Sequence, residues 1–319
     1  MTVSGEMPSA STVLMIRPAA FGWNEETARS NAFMTDGAPG EGVDFSLTAL
    51  DEFEGFVSTL MEAGIRVIVI EDRKKPVCAD AVFPNNWFST HEDGTVVLYP
   101  MMAPSRRLER RMDVVESLQA DHGFAVGEMV DLTGFEKQGE FLEGTGSMVL
   151  DHKNQACFAC LSSRTHISPL RAFGEYFDYE ICEFSGFDER GKSIYHTNVM
   201  MMIGEGFAVI CDEAIRDRGE RKRVMGLLAA GGREIVSITF AQMRSFAGNM
   251  LALHNNQGEH DLVLSTTAYE CLHEDQVSCL SGFARLVVVP VPTIERISGG
   301  GVRCMLAEVF LPMRDGGEE

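Results

Sequence analysis

The chain of 319 residues contains no apolar run approaching the roughly 18 residues that a membrane-spanning helix needs. Its start, MTVSGEMPSASTVLMIRPAAF, lacks the basic cluster and long apolar block of a secretory signal. The short apolar stretch at 13–16 reads instead as a first strand. Positive charge is scarce: 27 Lys and Arg stand against 47 Asp and Glu, for a net charge of −20. Such a surface repels phosphate backbones and anionic lipids, which argues against nucleic acid or membrane as a partner. The one basic cluster, SRRLERR at 105–111, is interleaved with Glu109 and reads as a helix face. A complete dinucleotide fingerprint is missing as well, since GTGSMV and GGGVRC both lack its third glycine and its context.

Eight cysteines are present without an export signal, which implies free thiols and a reducing, cytoplasmic compartment. Cys157 and Cys160 in QACFACLS have the spacing of a zinc or redox motif. They lie in a strand-like run, where residues three apart point to opposite faces, and no second pair follows at ribbon spacing. Both read as small buried thiols, and no metal or cofactor is expected.

No low-complexity linker divides the sequence. Instead a unit of roughly 50–60 residues recurs: a Gly- or Asn-rich polar signature, two short strands around a turn, a helix and a further strand. The signatures are FPNNWFSTH, FLEGTGSMVLD, YHTNVMMMI, SFAGNMLAL and ISGGGVRCMLAEVF. Helices are expected from about Arg106 to Ala120 and from about Arg218 to Ala230. The last signature lacks its own helix and strand. These can come only from the N-terminal helix Ser46–Glu62 and the strand IRVIVI, so the chain ends would close a ring. The expectation is a five-fold pseudosymmetric α/β propeller over 11–313, with flexible ends at 1–10 and 314–319. A ring brings positions near 85, 143, 196, 249 and 304 to one axis, although they are far apart in sequence.

Each signature sets polar groups where a strand should be apolar, which is how a functional site departs from a local pattern. The candidates are Asp80, Asn85, Asn86, Glu143, His196, Asn198 and Cys304. A lone histidine is ordinarily a satisfied core residue, and an Asn beside Gly a turn former. Their recurrence at corresponding places in different units is what singles them out. Glycines before Cys304 could form a donor nest for a developing oxyanion, and histidine is the natural proton shuttle. Cys, His and a carboxylate are the parts of covalent acyl or amidino transfer.

At these residues the sequence resembles the guanidine-modifying superfamily of arginine deiminases, dimethylarginine dimethylaminohydrolases and amidinotransferases, the pentein-type propellers. LEGTGSMVL, YHTNVMMMIG and GGGVRCM correspond to its carboxylate, histidine and nucleophile signatures, and ADAVFPNNW, APSRR and LSSRT to a run of the dimethylargininases. The resemblance implies a nucleophile at Cys304, an acid/base at His196 and an acidic partner at Glu143. It implies that Asp80 holds an α-amino group and that Arg106 and Arg164 hold an α-carboxylate. The departures are informative. Carboxylates that meet a guanidinium in relatives are the amides Asn85, Asn86 and Asn198 here. Burying a guanidinium without them would cost several kcal/mol, whereas amides suit a neutral ureido group.

The citrulline hydrolase branch is therefore the closest resemblance, and IRPAAFGWN also looks like it. The expected reaction turns citrulline and water into ornithine, carbon dioxide and ammonia. The alternative is an arginine deiminase or dimethylarginine dimethylaminohydrolase. A catalytically idle binding propeller is disfavoured by the retained Cys, His and Glu, and a metal hydrolase on His91, His196 and Cys304 by its ligand spacing. The role of Glu143, the first amine to leave and the oligomeric state, a homodimer included, stay open. So does whether 31–42 is a lid or a surface loop.

Overall fold

The computed structural model of the chain describes residues 9–34 and 44–314. The ends expected to be flexible therefore fall mostly outside the described residues, as do positions 35–42 of the lid-or-loop stretch. The chain adopts an α/β fold built on five three-stranded sheets. β1 (Thr12–Arg17) and β2 (Arg66–Glu71) share a sheet with β15 (Ala307–Glu308). The others are β3 (Phe88–Thr90), β4 (Thr95–Leu98) and β5 (Glu128–Asp131); β6 (Val149–Asp151), β7 (Ala156–Leu161) and β8 (Glu180–Ser185). They are followed by β9 (Met201–Ile203), β10 (Phe207–Ile210) and β11 (Glu234–Ser237), then β12 (Leu251–His254), β13 (His260–Ser265) and β14 (Arg285–Val289).

One pattern repeats in all five. A central strand pairs antiparallel with one neighbour and parallel with the other, as β7 does with β6 and β8. The antiparallel pair closes through a short turn, and the parallel pair needs a crossover, here carrying a helix. The chain ends supply the fifth unit jointly: Val13 faces Glu308 and Leu14 faces Ala307, while β2 runs parallel to β1. The helix Ser46–Glu62 crosses between β1 and β2 and buries Ala49, Phe53, Phe56, Val57 and Leu60 on one face, as a 3.6-residue period dictates.

Central strands are covered on both faces, so each carries consecutive apolar residues, at least Leu262–Leu264 in β13, rather than a strict alternation. On β7, Phe158 and Cys160 enter one core, whereas Cys157 and Ala159 enter another with Tyr99 and Phe173. The two cysteines thus point apart, as strand geometry requires.

The stretch 106–120 departs from expectation. It forms two helices, Pro104–Arg107 and Met112–Ala120, separated at Arg111 by extended backbone. SRRLERR is not a solvated face either. Arg106 and Arg111 are buried, Arg106 against Glu109 and Arg111 against Asp113, while Arg110 pairs with Glu136.

Single helical turns lead into the first strands of four units: Pro84–Asn86, Gly144–Ser147, Thr197–Val199 and Val302–Met305. Each ends two residues before its strand, so the polar signatures all occupy the same end of the sheets. These turns pack on one another. That packing is what gathers the candidate residues.

Candidate active site

Cys304 sits in the turn Val302–Met305 with its side chain buried. Asn249 donates from Nδ2 to its Sγ at 3.4 Å and Asn198 at 3.6 Å. Burial pushes the thiol above its ordinary pKa, and the Asn249 amide, the Arg303 charge, the Gly301 backbone and the Asn198 amide pull the other way. At rest this is a thiol whose anion already has two donors waiting.

His196 lies at the start of the turn Thr197–Val199, and Glu143 at the start of Gly144–Ser147. His196 Nε2 and Glu143 Oε2 are 2.8 Å apart. Burial lowers the imidazole to about 4, against the pull of Glu143. Burial opposes ionisation of Glu143 too. However, Arg164 and the His196 hydrogen bond outweigh it and hold the carboxyl well below the usual carboxylate range. Its other oxygen accepts from the Met102 amide at 3.0 Å. Glu143 therefore orients the ring and remains an anion.

Cys304, His196, Arg164, Arg106, Asn86 and Asp80 line one cavity of about 20 Å³. Asn85 lies just behind it, accepting from Asn86 Nδ2 at 3.1 Å. All nine sequence candidates thus converge, but not all in the expected roles. Arg106 reaches both oxygens of Glu109, Nε to Oε1 at 3.0 Å and Nη2 to Oε2 at 2.8 Å. Its Nη1 donates to Asn86 Oδ1 at 2.7 Å, so its donors are engaged within the protein. It braces Asn86 rather than offering a free fork to a carboxylate. Arg164 is similarly held by the Thr27 carbonyl at 2.8 Å and Ser30 Oγ at 2.7 Å, and it lies 4.9 Å over the Tyr195 ring. Asp80 Oδ2 accepts from Asn24 at 2.9 Å and Thr27 at 3.2 Å, while its buried Oδ1 has no partner among the described residues.

Removing one member of a buried ion pair leaves the other charge uncompensated. Glu109→Gln is expected to cost about 3–5 kcal/mol in denaturant unfolding, and the apolar pair Arg106→Met with Glu109→Leu to recover most of it.

The glycine triplet serves close approach more than anion binding. Gly299 has φ +65°, and a β-carbon there would come within 2.7 Å of Asn31 Nδ2. At Gly301 one would come within 2.6 Å of Asn249 Oδ1. The expected donor nest is partly closed. The N–H groups of Gly299, Arg303 and Cys304 already bond to Glu295 O at 2.9 Å, Asn249 Oδ1 at 3.1 Å and Gly301 O at 3.1 Å. Gly300, which lines the cavity, keeps a free N–H among the described residues.

Sequence reasoning set position 249 at the shared axis without making Asn249 a candidate, and it passed over Tyr195 and Asn31. Asn249 occupies the signature position of its unit, which was the available signal. Tyr195 donates to the Gly299 carbonyl at 2.8 Å, and Asn31 to the Ser298 carbonyl at 3.0 Å. Asn31 therefore covers the glycine turn at the cavity rim.

Five α/β units that bring a thiol, an imidazole and an ionised carboxylate to one buried cavity define a member of the guanidino-modifying superfamily. The profile of the family described as N,N dimethylarginine dimethylhydrolase, eukaryotic, matches residues 17–311, and the chain belongs to that family. No curated protein sequence matches the chain.

Solved structures share the fold. Apo ArgZ, an arginine dihydrolase from the ornithine-ammonia cycle in Cyanobacteria, gives a TM-score of 0.72 at 16% identity, over 95% of this chain and 41% of that one. The N-terminal domain of an ArgZ variant, covalently bound to a reaction intermediate, gives 0.71 at 16% identity, over 94% of this chain and 99% of that one. A dimethylarginine dimethylaminohydrolase variant with an S-methyl-L-thiocitrulline adduct gives 0.65 at 13% identity, over 94% and 99%. The chain thus spans about two-fifths of full-length ArgZ. Among the described residues no helix is long and apolar enough to cross a membrane.

Proposed function

We propose that the protein is a cysteine-dependent hydrolase of citrulline, giving ornithine, carbon dioxide and ammonia, with the five units arranged as propeller blades around the site. The observation that carries this reading is the pair of carboxamides, Asn198 and Asn249, at the sulfur of Cys304. Amides can donate to a ureido oxygen and accept from its N–H groups, and they offer no charge to a guanidinium. The carboxylates at and behind the cavity wall support the same choice. Glu109 is matched by Arg106, and Glu143 by Arg164 and His196. The remaining free oxygen, Asp80 Oδ1, suits the α-ammonium of an amino acid.

In the proposed mechanism His196 takes the thiol proton as Sγ attacks the ureido carbon. The amides of Asn198 and Asn249 stabilise the thiolate, and the Gly300 N–H, unbonded at the cavity among the described residues, would meet the developing oxyanion. The imidazolium returns its proton to the departing amine, then the ring activates water against the thiocarbamate. Hydrolysis frees the thiol and yields a carbamate that loses carbon dioxide. Glu143 steadies the imidazolium throughout. A cavity of about 20 Å³ holds little more than one water, so admission of an amino acid requires its lining, which includes Thr27 and Asn31, to widen.

A second reading has specific support. ArgZ is an arginine dihydrolase, and on this reading a first hydrolysis of a guanidinium would precede the ureido step. Parallel assays of citrulline, arginine and dimethylarginine, with ornithine and ammonia counted, separate the readings. Ornithine from citrulline alone supports the first. Ornithine from arginine with two ammonia supports the second, and turnover of arginine without citrulline turnover removes the first.

The pH profile follows from the two titrating groups. Below about 4 the imidazole is protonated and cannot take the thiol proton, so activity falls with acid. Above the raised pKa of Cys304 the pair has lost the proton that the leaving amine needs. The pair titrates as a unit, and kcat/KM should be flat from about pH 5 to 8. An acid limb near 6.5, the ordinary histidine value, would count against a buried neutral His196.

A further inference from the structure

The strands that leave the cavity beside Asn198 and Asn249 run away from it. At the far end of β9 the turn 204–206 presents Glu205, and at the far end of β12 His254 lies directly across from His260 of β13. One ligating atom from each of Glu205, His254 and His260 lies within 4.8 Å of those of the other two. His260 Nε2 and Glu205 Oε2 are 3.4 Å apart, and the two histidine rings have centroids 4.5 Å apart.

His254 carries a second, independent sign. It is only 2% exposed, and its Nδ1 lies 3.2 Å from the carbonyl and 3.1 Å from the hydroxyl of Ser9. A carbonyl can only accept, so Nδ1 carries the proton and Nε2 keeps its lone pair. Nε2 has no hydrogen-bond partner among the described residues. A backbone carbonyl that fixes the distal ring nitrogen is the usual preparation of a histidine for metal ligation.

We propose that Glu205, His254 and His260 form a site for zinc or a similar borderline divalent metal, separate from the catalytic cavity. Two imidazoles and one carboxylate match that class, whereas magnesium and calcium favour all-oxygen sites. Three protein ligands leave a fourth position for water. A metal here would staple the β9–β10 turn to the β12–β13 hairpin. Through Ser9, and through the His254 amide bonded to the Ala10 carbonyl at 3.0 Å, it would also reach the lead-in to β1. The site thus joins two neighbouring units to the chain start, at the end of the sheets remote from Cys304.

The competing account is a surface Glu205–His260 ion pair beside a packed histidine, with no metal affinity. The test titrates zinc chloride alone into the full chain carrying Cys304→Ala, so that the catalytic thiol does not compete, with a chromophoric chelator as reporter. One zinc per chain is expected, together with a rise in melting temperature. Adding His260→Ala should weaken binding by about 100-fold or more, beyond the 10–100-fold that outer-sphere partners cost. Glu205→Gln should weaken it by at least about 10-fold. Both substitutions are at partly exposed side chains, and in a Cys304 background both should leave metal-free activity unchanged. Absence of zinc binding in the Cys304→Ala chain would overturn the proposal, as would equal affinity after His260→Ala.

Discussion

Cys304→Ala is expected to lower ornithine release from citrulline by about 10⁴-fold or more while citrulline still binds. The size of the effect follows from the absence of a substitute. The other seven cysteines, Cys78 through Cys279, do not line the cavity. His196 is fixed to Glu143, and no other described cavity residue offers a nucleophile of comparable strength. Loss of the sulfur also removes the atom toward which Asn198 and Asn249 donate, so the site would keep its binding groups and lose its covalent route. Titration calorimetry with citrulline separates a binding-competent, inactive protein from a misfolded one. A variant that released ornithine within about 10-fold of the wild-type rate would mean that water attacks the ureido carbon directly, and the covalent mechanism would fall.

Much of this arrangement was legible in the sequence, for physical reasons that differ from element to element. The helix Ser46–Glu62 matches expectation, and a helix over Arg218–Ala230 lies where one was expected from about 218 to 230, because each carries a helical pattern between turn signals. Joining the two chain ends in one sheet followed from a unit that had to borrow its helix and strand. The convergence of Asn85, Glu143, His196 and Cys304 followed from repetition alone, since equivalent places in equivalent units end up together. What repetition could not convey is which way a side chain turns. Arg106 matched an arginine of the family run, but its guanidinium is turned onto Glu109, three residues away. No Gly or Pro marks the break between Arg107 and Met112, where arginine side chains drawn toward Glu109, Glu136 and Asp113 accompany it. Asn249 sits beside Gly248 as a turn residue would, and its distance to Sγ adds to its signature position the contact that identifies it. The triplet 299–301 was read for its free N–H groups, whereas its backbone is crowded by Asn31, Phe83 and Asn249.

Asn198→Asp is expected to shift substrate preference from citrulline toward arginine by at least about 100-fold in the ratio of kcat/KM values. Two effects of the same substitution act together. First, the Nδ2 donor at Sγ is lost, and loss of one donor to a developing anion typically lowers turnover by about 10²–10³-fold. A carboxylate beside the sulfur further disfavours the thiolate, so citrulline turnover falls through kcat. Second, the new charge beside Sγ, next to the cavity that Cys304 lines, offers a guanidinium a partner, so arginine gains affinity even where its turnover stays slow. The first effect slows both substrates and the second favours arginine alone, so the ratio moves toward arginine, which a general loss of stability would not bring about. Measuring KM and kcat for both substrates, with melting temperature as the control for folding, makes the comparison. If the wild-type chain already prefers arginine, or if Asn198→Asp leaves the ratio unchanged, the amides at the sulfur do not select a neutral head group.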